Sequence, residues 1–588
     1  MALTDRLAEA VSDGRVCDPK TGTPAPKSHY AEACFSVAAL RVAAERGDSE
    51  LHDCGVEALT THLSRARDVR GHGEFTSFAL LELLSDVRAG VYKIPYTAEQ
   101  LVSQIEFESG LSTGHGNNWL LLQLLCRMKY AEMVEDTLSA QIHRKALAQL
   151  AVHWQSADGI FQDQPRVPIE EKETPLTYHS KMTYLAARLG EYNPEWTART
   201  KLGLWALSNA TLPTGEAHYF GRSENTLFGY ACALASISTI CSTVECPPWM
   251  ETLWERLKKY LRESFNPTSA NAVPARCGAP GVPVDGYVFD TVYAAYAAML
   301  LVGIQKPDRN STEKSEFEKK PRSFEVIVGS EGCMGLAPVG QTKYTLSRPD
   351  PRYAGMVPLA LSYESCPILP GVPADAWNWA SLPFLPTVVI DEKPYSPIRW
   401  DSIVERDTET VALFGTGRFT QLPATTGRPD SYSEEDTSVP AWKRLSRRLF
   451  LHIGKDWYKK QAAQISASVS RSIFYRKDCD VLAMLTSTEM NEGRVIPSSG
   501  LISENYTESL TIEHSQCVSK EESDIRGHHG PGTSILFSET NTPFKSVFVI
   551  DPGNNVDTVN TTFTNGFSTR IRLKNESETL VFEHSNNF

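Results

Sequence analysis

The feature of this sequence that most constrains its fold is a change of hydrophobic pattern near residue 306. Before that point, apolar residues recur every three to four positions, as in 31–44, 119–130 and 249–264, which is typical of amphipathic helices. After about residue 323, short alternating runs rich in β-branched and aromatic residues follow, such as 324–328 and 545–550. The two halves therefore predict different classes of secondary structure.

These patterns predict a multidomain α + β chain, since 588 residues are too many for one hydrophobic core. Residues 1–305 predict an incomplete (α/α) toroid of helical hairpins, because a ring of hairpins buries the apolar faces of many helices and leaves a groove at one end. The polar, charged segment 306–322 lacks periodicity and predicts a linker. Residues 323–588 predict an antiparallel β-sandwich.

Charge and cysteine content narrow the class of protein. A net charge of -13 argues against a general binder of nucleic acid or of acidic membranes. No run approaches the roughly 20 apolar residues that span a bilayer, and no signal peptide is visible, so a cytoplasmic location is expected. The 12 cysteines are scattered without a CxxC pair. We expect no metal site and no organic cofactor, and a homo-oligomer is compatible with the sequence.

Three motif segments in the helical half place polar side chains at the ends of predicted helices, where catalytic groups are often held. The first is 113–119, with the sequence Thr-Gly-His-Gly-Asn-Asn-Trp. The second pairs 158–163 with 178–181, and the third is 218–225. Together they predict an active site at the ends of the helices.

The first segment supplies amides that can donate to a carboxylate. Asn117 or Asn118 is the candidate for this role, and His115 is a candidate to assist. Either asparagine is equally suited to cap the helix that follows. Trp119 is a candidate for stacking on a sugar ring, although most such residues lie in a core.

The second segment supplies the candidates for proton transfer, Tyr178 and His179. A tyrosine can act as base and acid beside a cation, and a neutral histidine can act as base. The alternative is that both residues simply begin a helix. Adjacent helical residues point about 100° apart, so we expect only one of the two to face a substrate.

The third segment supplies His218, Tyr219 and Arg222, with Gly221 permitting close approach of the backbone. Arg222 is predicted to bind a carboxylate through two hydrogen bonds, or else to be a buried structural arginine paired with an acid such as Glu224. Further substrate contacts are predicted for three residues: Glu224 in the same segment, and Arg276 and Tyr287 in a loop rich in Gly and Pro.

The four short motifs Asn-Asn-Trp, Asp-Gly-x-Phe, Tyr-His and Gly-Arg-Ser, followed by a β half, resemble those of the α/α-toroid polysaccharide lyases. That group includes hyaluronate/chondroitin, heparinase II/III-like and alginate lyases. The resemblance implies an asparagine against a uronate carboxylate, a catalytic His and Tyr, and a substrate-binding arginine. Asp163 stands where those lyases carry the histidine, and the nearest imidazole is His179.

We therefore expect a carbohydrate-active lyase that cleaves a uronic-acid-containing oligo- or polysaccharide, or a small glycoside, by β-elimination. Its partner would be an anionic carbohydrate substrate. One alternative is a toroid glycoside hydrolase that uses Asp163 or Glu224 as an acid/base residue. Others are a toroid enzyme repurposed for a non-carbohydrate metabolite and a non-catalytic sugar-binding protein.

Overall fold

A computed structural model describes most of the helical half and many strands of the β half. The described residues are 2–18, 22–66, 72–105, 107, 117–151, 154–163, 174–221, 225–264, 290–307, 324–336, 356, 358–369, 387–391, 393–397, 400–421, 464–489, 494–496, 500–503, 510–514, 526–527, 530–535, 540–541, 544–562, 567–574 and 579–584.

The chain divides into two compact units. The first comprises Met1–Ser208, Ser223–Gly281 and Tyr287–Pro321, and the second Asn209–Arg222, Val282–Gly286 and Arg322–Phe588. Most of the predicted linker, 306–322, lies outside the described residues, which stop at 307 and resume at 324. The predicted domain boundaries stay predictions.

Twelve helices occur in the described part of the first unit. They are α1 (Ala2–Glu9), α2 (Ala31–Arg46), α3 (Ser49–Ser64), α4 (Gly73–Arg88), α5 (Ala98–Gln104), α6 (Asn117–Met133), α7 (Thr137–Ala151), α8 (Leu176–Leu189), α9 (Pro194–Ala210), α10 (Leu227–Cys241), α11 (Pro248–Ser264) and α12 (Asp290–Leu301). The last two residues of α9 belong to the second unit. A two-stranded hairpin, β1 (Val11–Ser12) and β2 (Arg15–Val16), follows α1.

The even-numbered helices form a ring. Helix α2 contacts α4, α4 contacts α6, and the series continues through α8, α10 and α12 back to α2. The odd-numbered helices α1, α3, α5, α7 and α11 each pack on a member of this ring. These helices thus form an (α/α) toroid, and the predicted toroid is confirmed. Its inner ring, which was expected to be incomplete, closes through the contact between α12 and α2.

Burial explains which helices take the inner positions. Helix α10 has few charged residues and buries most of its length, as an element surrounded by neighbours must. Helix α11 instead buries one stripe at three- and four-residue spacing, Met250, Leu253, Trp254 and Leu257, and exposes charged residues elsewhere. The apolar pattern of each helix therefore determines whether it lies in the inner or the outer layer.

The second unit contains antiparallel strands. They are β3 (Glu325–Val328), β4 (Gly332–Leu336), β5 (Pro358–Tyr363), β6 (Cys366–Pro367), β7 (Thr387–Ile390), β8 (Lys393–Ser396), β9 (Trp400–Arg406), β10 (Thr410–Gln421), β11 (Gln464–Arg476), β12 (Val481–Glu489), β13 (Arg494–Ile496), β14 (Gly500–Ser503), β15 (Leu510–His514), β16 (Arg526–Gly527), β17 (Gly530–Ile535), β18 (Thr540–Asn541), β19 (Phe544–Ile550), β20 (Val556–Thr562), β21 (Phe567–Leu573) and β22 (Thr579–His584).

Strands β10, β11, β12 and β19 form the centre of a large sheet with a core on each face. Side chains alternate between faces, so Leu413 and Ile473, paired across β10 and β11, point to one core. Their neighbours Ala412 and Phe474 point to the other. The first core is shared with the sheet β3–β6, and the second with Ile571 of the sheet β20–β22. The predicted sandwich is confirmed, and its described strands form three layers.

No helix in the described part of the chain is both long and apolar enough to cross a membrane.

Candidate active site

The first turns of the inner helices meet at one end of the ring. Tyr30, which precedes α2, stacks on Phe75 in the first turn of α4, with ring centroids 4.4 Å apart. Phe75 packs edge-on against Trp119 at the start of α6, at 5.0 Å. The α6 residue Asn118 accepts a 2.7 Å hydrogen bond from Nζ of Lys181 on α8.

The same series continues through the other half of the ring. Tyr178, in the first turn of α8, packs edge-on against Phe228 of α10 at 5.9 Å. Phe228 stacks on Tyr293 of α12 at 5.1 Å, and Tyr296 of α12 returns to Tyr30 at 6.0 Å. All six inner helices therefore start at the same end, which we call the N-terminal end of the ring.

This geometry gives the N-terminal end a positive electrostatic character. Each helix carries a partial charge of about +0.5 at its N-terminus, where the first N–H groups lack intrahelical partners. Six aligned inner helices add these partial charges at one end, and Lys181 adds a full charge. The N-terminal end is therefore suited to an anion.

Asn118 links Lys181 to a buried carboxylate. Its Nδ2 and its backbone N–H both donate to Oδ1 of Asp163, and its Oδ1 accepts from Lys181. All three residues are buried, and the Lys181 ammonium also lies 4.0 Å from the centroid of the Phe75 ring. The amide thus separates two opposite charges while bonding to both, which holds the start of α6 against α8.

Asn117 is bound at one group of its side chain. Its Nδ2 donates to the carbonyl of Gln162 at 2.6 Å, and its backbone N–H donates to the carbonyl of Asp163 at 2.7 Å. In the described part of the chain, its second amide hydrogen and its Oδ1 make no hydrogen bond. Of the two adjacent asparagines, Asn117 is the one that keeps a donor for a ligand.

Residues 154–163 form a tight hairpin that explains the Asp-Gly-x-Phe motif. Gln155 and Phe161 pair across it, and Gly159 turns the chain with φ of +96°. A Cβ at this glycine would lie 2.4 Å from the carbonyl oxygen of Leu202 on α9. Only glycine fits such a conformation and such close contact. The hairpin therefore positions Asp163 next to the start of α6.

His179 is fully buried, and both of its ring nitrogens bond to the backbone. Its Nδ1 accepts from the N–H of Phe161 at 3.2 Å, and its Nε2 donates to the carbonyl of Gly203 at 2.9 Å. Burial lowers the pKa of His179 to about 4, although the Gly203 carbonyl and Asp158 act in the opposite direction. A neutral ring held in this way connects the 154–163 hairpin, α8 and α9.

A half-buried group of rings lies beside these polar contacts. The imidazole of His72, which precedes α4, lies 5.4 Å from the ring of Trp119 and 4.2 Å from that of His29. Burial, followed by the charge of His72, lowers the pKa of His29 to about 3. The three side chains are partly accessible, so they offer aromatic faces at the N-terminal end.

Two predicted site residues belong to the second unit. His218 and Tyr219 are both buried there, and the Tyr219 hydroxyl donates to the carbonyl of Ala210 at 2.7 Å. A Cβ at Gly335 of β4 would lie 2.7 Å from the Tyr219 ring, so this glycine leaves room for the phenol. Tyr219 is thus anchored inside its own unit.

Five predicted site residues lie outside the described residues. They are His115, Arg222, Glu224, Arg276 and Tyr287.

Sequence reasoning missed His72, Phe75 and Lys181. A signal for His72 was present, because the triplet Gly-His-Gly occurs both at 71–73 and at 114–116, each time immediately before an inner helix. Lys181 follows Tyr178 by three positions, which places both on one face of α8. Phe75 had no signal of its own, because a first-turn phenylalanine looks like any core residue.

No protein-family model and no curated protein matches the sequence. Among solved structures, a heparinase III with methylated lysines is similar over 93% of this chain and 82% of its own, at 10% identity and a TM-score of 0.48. A heparan sulfate lyase HepC mutant from Pedobacter heparinus is similar over 94% and 82%, at 11% identity and a TM-score of 0.48. An unsaturated glucuronyl hydrolase from Bacillus sp. GL1 is similar over 51% and 95%, at 11% identity and a TM-score of 0.39.

Proposed function

We propose that this chain is a carbohydrate-active lyase that cleaves a uronic-acid-containing saccharide, or a small glycoside, by β-elimination at the N-terminal end of the inner ring. The observation that carries the proposal is the closed series of first-turn contacts, which gathers Tyr178, Lys181 and Asn117 around six helix N-termini. An anionic sugar needs a positive site with aromatic faces, and this end provides both features.

The proposed reaction begins with neutralisation of the uronate carboxylate. The helix N-termini and Lys181 stabilise its charge, and the remaining amide hydrogen of Asn117 donates to it. This makes the hydrogen on the adjacent carbon more acidic. Asn118 acts indirectly, because its bonds to Asp163 and Lys181 hold these groups in place.

Tyr178 is the proposed proton carrier. Its phenolate takes the proton from the carbon next to the carboxylate, the carbon–oxygen bond to the leaving sugar breaks, and the phenol returns the proton to that oxygen. A carbon–carbon double bond remains in the product. Lys181, three residues along α8, brings a positive charge to the same end of the ring. His179 is less suited to this role, because both of its nitrogens are bonded to the backbone.

Among the described acids, neither Asp163 nor Asp158 supports the hydrolase alternative, and Glu224, its other candidate, lies outside the described residues. A glycosidase needs two carboxyl groups facing one sugar. Asp163 is fully buried, and its Oδ1 is bonded to Asn118. Asp158 is also buried and accepts a hydrogen bond from Ser156.

The test is the ultraviolet absorbance of the unsaturated uronate during incubation with a panel of uronic-acid oligosaccharides. We expect a rise with the wild-type protein and a 10²- to 10⁴-fold lower kcat in Tyr178→Phe, about the usual contribution of a general acid/base. Tyr192→Phe, the same change just after the other end of α8, should keep the wild-type rate. New reducing ends without absorbance, or no reaction with any uronide, would contradict the proposal.

A further inference from the structure

The opposite end of the same ring holds a polar cavity of about 180 Å³. Its walls come from the C-terminal halves of α2, α4, α8 and α10 and from the end of α12 and the residues after it. The wall residues that matter here are Arg41, Glu82, Tyr184, Arg188, Ser238 and Thr239. Ser238 and Thr239 are partly accessible, so the cavity opens to solvent on the α10 side.

The charges around this cavity do not balance. Glu82 accepts hydrogen bonds from Arg41, Lys129 and Arg188, at 3.0, 3.0 and 2.8 Å. Asp86 accepts two more from Arg41, at 2.7 and 3.2 Å. Three cations therefore bond to two carboxylates, and of these five groups Arg41, Arg188 and Glu82 line the cavity. These cations also hold the pKa of Glu82 well below its ordinary value, so its carboxylate stays charged.

Arg41 keeps a free donor at the cavity wall. Its Nε and Nη2 donate to Asp86 and Glu82, but its Nη1 makes no hydrogen bond within the described residues. Arg188 donates from Nη2 to Glu82 and from Nη1 to the Tyr184 hydroxyl at 3.0 Å, which fixes its guanidinium at the wall. Guanidinium groups with unused hydrogens bind oxyanions well.

We propose that this cavity binds one small oxyanion, a sulfate, phosphate or carboxylate group, beside Arg41 and Arg188. The surplus positive charge and the free Arg41 donor would be satisfied by such a group. The C-terminal ends of the inner helices carry partial negative charge that opposes an anion here, so the proposal rests on the unused Arg41 donor and the two guanidinium groups at the wall. We therefore expect a dissociation constant on the order of 1 mM. This site is separate from the proposed active site and does not rest on its chemistry.

The test measures thermal unfolding and isothermal titration of the full chain with sodium sulfate, sodium phosphate and sodium glucuronate, against sodium chloride at equal ionic strength. We expect saturable stabilisation beyond that in chloride, and the part of it that Thr239→Glu weakens reports the cavity rather than the N-terminal end of the ring. An effect of sulfate and phosphate alone supports an inorganic ion as ligand. An effect of glucuronate as well supports a carboxylate group.

A matched pair of variants assigns the binding to this cavity. Thr239→Glu places a negative charge on the wall and should weaken anion binding at least tenfold. Thr239→Gln introduces a side chain of the same shape as Glu but without the charge, and should retain binding. Lys201→Met, which changes a lysine outside the cavity wall, should also retain it. Binding that Thr239→Glu leaves unchanged, or no saturable effect of any of the three anions on the wild-type protein, would overturn the proposal. If Thr239→Glu does not fold, the titration of the wild-type protein still tests whether any of the three anions binds saturably.

Discussion

The two ends of the inner ring bury charge in different ways. At the N-terminal end, Lys181 lies beside the Phe75 ring, and the Asn118 amide links it to Asp163. At the C-terminal end, Glu82 is bonded directly to three cations. The helix dipole accounts for part of this difference, because C-terminal helix ends attract cations, and buried cations in turn need carboxylates. N-terminal helix ends carry partial positive charge, so this end of the ring suits an anionic ligand instead.

The largest effect that this comparison predicts is on stability at the C-terminal end. Glu82→Gln removes the carboxylate that Arg41, Lys129 and Arg188 share, and leaves buried cations without their partner. We expect a loss of about 3–5 kcal/mol in the free energy of unfolding, measured by urea denaturation and followed by circular dichroism.

The control for this prediction is Glu195→Gln. Glu195 pairs with Arg199 one turn along the exposed face of α9, and such pairs contribute less than about 1 kcal/mol. If Glu82→Gln costs no more than Glu195→Gln, the C-terminal charge network does not stabilise the ring.

The second prediction concerns pH and the N-terminal half of the ring. The pKa of His179 is about 4 in the fold, against an ordinary value of 6.5. As pH falls below 6.5, the unfolded chain binds a proton that the folded chain does not, so stability decreases until pH reaches about 4. The full loss is about 3 kcal/mol.

Unfolding free energies measured between pH 7 and pH 4 test this. His179→Gln has no ionisable ring at this position, so its free energy of unfolding should change less steeply with pH. We expect the remaining pH dependence to come from other groups such as His29. An identical slope in the variant would show that His179 does not titrate as its burial implies.

Helix α10, with its nearly unbroken apolar sequence, and α11, with its single apolar stripe, show how much of the fold the sequence predicts. Periodicity locates such elements, because it records which faces are buried. The same is true of β10 and β11. The order of the β layers is harder to predict. The adjacent apolar residues Leu413 and Ala412 indicate that both faces of β10 are buried, but they do not identify the sheets that cover these faces.

The site was less predictable than the fold. Tyr178 and Asn117 can be proposed from the sequence because a phenol and an amide at helix starts suit proton transfer and carboxylate binding. His179 looked equally suitable, yet its role depends on the carbonyl of Gly203, which no local pattern reveals. Glu82 gave no signal at all, since its partners come from three other helices.

The third prediction separates stability from function at the N-terminal end. Lys181→Met keeps the length of the side chain and its apolar contact with Phe75, but removes the charge and the hydrogen bond to Asn118. Because the hydrogen bond to the buried Asn118 amide is lost, we expect a cost of about 1–3 kcal/mol, less than for Glu82→Gln.

The two substitutions should affect activity in the opposite order, with the larger effect in Lys181→Met. With folded protein, confirmed by circular dichroism at low temperature, Lys181→Met should raise KM for a uronide at least about tenfold, because a charge-assisted contact contributes about 1.5–3 kcal/mol. Glu82→Gln, at the other end of the ring, should leave KM and kcat unchanged, as should Lys201→Met on the outer helix α9. A Lys181→Met protein with wild-type KM would contradict a role of Lys181 in substrate binding. Both ends of the ring would then contribute to stability alone.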